Sequence, residues 1–192
     1  MRICLVGHSL ARNLGAYVQR DHPNFGLDDD ILFIARGGLK VSDVVTCYDS
    51  IENFNPDLIS LIIGENDLCE IKHWTLIGDA IMLAALHMSV HFPNARVVIN
   101  RLLPRSLAGN SSYLYPLYNK DMLDTNQFLF EMCNNQPHIQ FNDYRFEKED
   151  WSAILWQTVF KPDGVHLQDR GLLKMYKGVK SGLIRSLKKV RR

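Results

Sequence analysis

A hydroxyl, an amide, a pair of glycines and an acid–base pair stand out in this sequence. Ser9 offers the hydroxyl in CLVGHSL, and Asn66 the amide in GEND. Gly37 and Gly38 follow Arg36, while Asp163 and His166 lie three residues apart in KPDGVHL. Acyl transfer needs these types: a nucleophile, a base to take its proton, a carboxylate to orient the base, and N–H donors for the oxyanion. His8 stands beside Ser9, which raises the question of which histidine is the base. Successive side chains at a strand end diverge, so His8 is badly placed and His166 with Asp163 is the better base. The expectation is that His8→Ala keeps much of any hydrolytic activity and His166→Ala loses nearly all of it.

Such residues matter together only if the fold gathers them. Short apolar runs at 3–7, 30–36, 56–64, 95–100 and 139–143 read as strands. Between and after them, helical periodicity marks 10–21, 41–51, 76–92, 116–134 and 168–189, with an irregular stretch at 144–165. The alternation predicts a single α/β domain over 1–192: a three-layer α/β/α architecture around a five-stranded, mostly parallel sheet. In such sheets ligands bind beyond the carboxyl ends of the strands. The first three predicted strands run into Gly7-His8-Ser9, Arg36-Gly37-Gly38 and Gly64-Glu65-Asn66-Asp67, and Asp163 and His166 close the irregular stretch.

In this order the four blocks resemble those of the SGNH hydrolases, also called GDSL-type esterases, over nearly the whole chain. Ser9 matches the nucleophile, in GHS where the family usually has GDS. Gly38, or its neighbour Gly37, matches the oxyanion glycine, Asn66 the oxyanion asparagine of GxND, and Asp163 and His166 the DxxH block. The resemblance implies a flavodoxin-like strand order and a Ser9–His166–Asp163 triad. It also implies an oxyanion hole from the N–H groups of Ser9 and Gly38 and the Asn66 side chain, with no metal or cofactor required. The Asp163–His166 spacing spans one turn, so the carboxylate can accept from Nδ1–H and leave Nε2 facing Ser9. His8 takes the place of an aspartate that is not a triad acid. The stretch FPNARVVINRLLPRS, 92–106, is most similar to the catalytic subunits of the intracellular platelet-activating-factor acetylhydrolases. The GHS variant is also similar to SGNH domains of animal mobile-element proteins. A short-chain ester, acetyl foremost, is the implied substrate.

Each residue also has a plainer reading. Ser9 could cap the helix that follows, His166 could be a surface histidine, and Asn66 and the glycines could be turn residues. Asp67 reads as a helix cap. Arg105, Tyr113, Tyr115, Trp151, Trp156 and Phe160 read mostly as local packing, with a pocket lining as the sharper alternative. Of 22 Lys and Arg, nine fall between Arg170 and Arg192, where there is no Asp or Glu; the first 169 residues hold all 21 acidic residues against 13 basic ones. An amphipathic final helix, its basic end complementing the helix dipole, accounts for most of that charge. A binding or assembly module of a larger protein, holding nucleic acid or a partner by this basic end, is the rival to the esterase; a homodimer is a further expectation. No apolar run approaches the roughly 20 residues of a membrane span. The N-terminal MRICLVGHSL reads as a core strand with no room for a signal peptide. Cys4, Cys47, Cys69 and Cys133 are scattered without CxxC pairs. The expectation is an intracellular, cytoplasmic protein.

Overall fold

The computed structural model describes residues 1–106, 115–144, 146 and 153–190. Five strands form one sheet: β1 (Arg2–Gly7), β2 (Asp30–Ala35), β3 (Leu58–Ile62), β4 (Arg96–Asn100) and β5 (Ile139–Asn142). Their order is β2-β1-β3-β4-β5 and every pairing among them is parallel, the flavodoxin-like order. Parallel strands covered on both faces read as continuous apolar runs, and β3 is buried at every residue. Alternate side chains enter opposite cores: Cys4 and Val6 pack with Val44, Ile51, Ile77 and Ile81, whereas Ile3 and Leu5 pack with Leu14, Val18, Met175 and Val179.

Helices α1 (Ser9–Asp21), α6 (Ala153–Val159) and α7 (Asp169–Val190) contribute to the second core. The first is covered by α2 (Tyr48–Phe54), α3 (Glu65–Ile71), α4 (Trp74–His91) and α5 (Tyr115–Cys133). No described helix is long and apolar enough to cross a membrane.

Three local departures from the sequence reading bear on the site. The single helix expected at 41–51 is a 3-10 segment, Val41–Cys47, followed by α2. Its buried residues, Val41, Val44 and Cys47, repeat every three, the 3-10 period, and β-branched side chains weaken the α alternative. α3 begins at once after the turn that follows β3. α6 lies within the stretch expected to be irregular. Each of these two helices has seven residues, too few to show a helical period in sequence.

α7 sits unusually close to the sheet edge. A Cβ at Gly178 would collide with the ring of Tyr144, and one at Gly182 with the amide of Asn142. Gly178→Ala is expected to cost about 1–3 kcal/mol by overpacking, read as a lower midpoint in thermal denaturation. The outer side of α7 exposes Lys177, Arg185, Lys188 and Lys189. Arg185 already donates to Asn142 Oδ1 at 2.6 Å.

Candidate active site

The nucleophile position is built by a strand that turns abruptly into a helix. β1 ends at Gly7, where a Cβ would collide with the carbonyl oxygen of Ile62 on β3. Glycine is therefore required for the close approach. His8 then caps α1: its Nδ1 accepts the Leu10 N–H at 3.3 Å. The capping role open to Ser9 thus belongs to its neighbour. Ser9, the first residue of α1, is half-buried.

Ser9 Oγ lies 3.1 Å from His166 Nε2. On the other side of the ring, His166 Nδ1 lies 2.7 Å from Asp163 Oδ2. Asp163 Oδ1 accepts the backbone N–H groups of Val165 and His166, both at 2.9 Å. Gly164, at φ 68, makes this tight turn. The segment is held from both ends: Lys161 N–H donates to His166 O at 2.7 Å, and Ser106 N–H donates to Gly164 O at 2.8 Å. Partial burial pushes the Asp163 carboxyl up, but the hydrogen bonds from the His166 ring and the two backbone N–H groups outweigh it and hold the group below its ordinary value.

The glycine and amide blocks meet beside this chain. Arg36 N–H donates to Gly7 O at 3.0 Å and ties the turn after β2 to the end of β1. Gly38 adopts φ 77, and a Cβ there would meet nothing within 4 Å, so its outer side is open. Asn66 Nδ2 donates to Leu39 O at 3.1 Å. One amide proton is thereby used to anchor the side chain beside Gly38; an amide nitrogen carries two. Asp67 lies in the first turn of α3. Its carboxylate accepts the first N–H of the 3-10 segment, Val41 N, at 3.1 and 3.2 Å, and burial raises its pKa.

Both ring nitrogens of His8 are occupied away from Ser9. Nε2 lies 2.6 Å from Glu65 Oε2, a residue that sequence reasoning did not single out. The signal available was that each residue immediately precedes a candidate site residue at a strand end. Arg105 donates to Glu65 O at 3.3 Å and lies over the Tyr118 ring at 4.8 Å. Trp156 stacks on Phe160 at 5.0 Å. These contacts fit packing better than a pocket lining. Tyr113, Trp151 and the side chain of Tyr115 lie outside the described residues. Among the described residues, no three His, Cys, Asp or Glu side chains gather as a metal-binding group.

Solved structures share this architecture. A GDSL-like lipase from Bacteroides thetaiotaomicron matches at TM-score 0.70 and 15% identity, over 96% of this chain and 88% of that one. The chain has the SGNH hydrolase fold. A Clostridium thermocellum family 3 carbohydrate esterase matches at TM-score 0.70 and 17% identity, over 97% of this chain and 98% of that one. A Streptococcus pneumonia protein whose name refers to platelet activating factor matches at TM-score 0.74 and 17% identity, over 94% and 83%. No family model matches the sequence, and no curated protein matches it. In this SGNH fold, Ser9, the Gly37–Gly38 turn and Asn66 follow the carboxyl ends of three adjacent strands, and His166 reaches Ser9 from the segment before α7.

Proposed function

We propose that the protein is a serine esterase that hydrolyses short-chain esters, acetyl esters foremost. The observation that carries this reading is the chain of hydrogen bonds from Ser9 Oγ through the His166 ring to Asp163. A family 3 carbohydrate esterase among the similar folds supports an ester substrate. His166 Nε2 takes the Ser9 proton as Oγ attacks the ester carbonyl. The oxyanion is held by the N–H groups of Ser9 and Gly38 and by the Asn66 amide. On collapse the C–O bond to the leaving group breaks, and the alkoxide takes the proton from His166. Water, deprotonated by the same ring, then attacks the acyl-enzyme; the acid leaves and Ser9 regains its proton. Asp163 fixes the tautomer and stabilises the imidazolium.

The bond from Asn66 to Leu39 O restrains the amide, leaving its second proton for the oxyanion. Asn66→Ala is expected to lower kcat by about 10²–10³-fold with little change in KM, as read by steady-state kinetics. The reading itself is tested by hydrolysis of p-nitrophenyl acetate by wild type and Ser9→Ala: equal rates overturn it. A series of p-nitrophenyl esters of increasing chain length tests the acetyl preference, and rates that rise with chain length would refute that preference.

A further inference from the structure

His8 and Glu65 flank the proposed machinery on the inside. His8 precedes the nucleophile, and Glu65 precedes the oxyanion amide of Asn66. Both are almost wholly buried, at 2% and 3% exposure. With Nδ1 of His8 accepting the Leu10 N–H, Nε2 is the ring nitrogen left to donate to Glu65 Oε2, 2.6 Å away. The other carboxylate oxygen, Oε1, accepts the Leu103 N–H at 3.1 Å. One carboxylate thus ties together the chain beyond β1, β3 and β4. Burial alone would push the Glu65 carboxyl up; the electrostatic attraction of the His8 ring, its hydrogen bond and the Leu103 N–H outweigh it and hold the group below its ordinary value. A buried charge is expensive unless fully partnered, and two apolar residues would serve packing alone as well or better.

We propose that His8 and Glu65 are a positioning pair: their hydrogen bond sets the separation of Ser9 from Asn66. The inference rests on the esterase reading. Neither residue touches the ester; each acts through its neighbour in the chain. The effect on rate is large because a misplacement of about 1 Å costs about 10²-fold. The pairing also revises the expectation that His8→Ala keeps much of the activity, since that variant strands the Glu65 carboxylate.

Two substitutions separate the two ends of the imidazole. In His8→Asn, Oδ1 can still accept the Leu10 N–H, but the side chain is too short to reach Glu65. In His8→Gln, the amide nitrogen takes the place of Nε2 and still donates to Glu65, while the cap is lost. With p-nitrophenyl acetate, His8→Asn is expected to lose about 10–100-fold in kcat at nearly constant KM, and His8→Gln to keep most of it. Titration of reactive Ser9 with a fluorophosphonate, in which Oγ displaces fluoride, normalises kcat per competent molecule; midpoints of thermal denaturation report stability separately. If His8→Asn does not fold because Glu65 is left charged, His8→Asn/Glu65→Gln buries no charge and gives the same reading. Loss of kcat in the Asn variants with retention in His8→Gln supports the pair. Equal kcat per competent molecule in all of them overturns the pair alone, while equal rates for wild type and Ser9→Ala overturn the esterase reading beneath it.

Discussion

Ser9→Ala and His166→Ala are each expected to lower kcat for p-nitrophenyl acetate by at least about 10⁴-fold, with the double substitution no worse than either single one. The two groups act as one unit across the 3.1 Å contact: without the ring the hydroxyl keeps its proton, and without the hydroxyl the ring has no nucleophile to activate. What survives is the contribution of the oxyanion donors and of substrate binding. The fold itself should persist in Ser9→Ala, because His8, not Ser9, caps α1. Unchanged circular dichroism alongside the lost activity distinguishes removal of a nucleophile from loss of structure. Rates within about tenfold of wild type in either variant would be incompatible with the proposed mechanism.

Asp163→Asn is expected to be nearly as damaging, about 10⁴-fold in kcat, although it changes one atom. The reason lies in the two backbone N–H groups on Oδ1. An asparagine satisfies them only with its carbonyl oxygen, which turns its NH₂ toward His166 Nδ1. Nδ1 must then accept, the proton moves to Nε2, and the ring presents a donor to Ser9 where a base is needed. Kinetics of this variant beside wild type check the effect, and an unchanged kcat would show that Asp163 does not set the tautomer. The pH dependence follows the same atoms. A carboxyl held below its ordinary value contributes above that value and loses its effect only as pH falls through the lowered one. Asp163 is therefore ionised across the neutral range, and any change in rate there belongs to another group.

Much of this was legible in sequence because it depends on local patterns. β3 shows as an apolar run because both its faces are covered, and α1 and α7 show because each buries one stripe. The strand-end rule then pointed to Ser9, Gly38 and Asn66 without any knowledge of contacts. The partner of Ser9 lies 157 residues away, and only the block pattern, not periodicity, suggested it. Glu65 stayed hidden for a related reason. Its partner His8 is 57 residues distant, and a glutamate at a helix start reads as a surface charge until the loop beyond β4 closes over it. The 3-10 segment at Val41–Cys47 was misread because its three-residue spacing of buried side chains overlaps the α-helical pattern over so short a span.

The seating of α7 on Gly178 and Gly182 has a consequence for how the molecule fails. His166 lies three residues before this helix begins, on a segment tied to Ser106. The helix cannot lift without vacating the space against Tyr144 and Asn142. Heat should therefore find no stage at which the histidine has drifted from the serine while the rest stays folded: inactivation and melting become one event, and a heated sample becomes a mixture of fully competent and fully unfolded molecules.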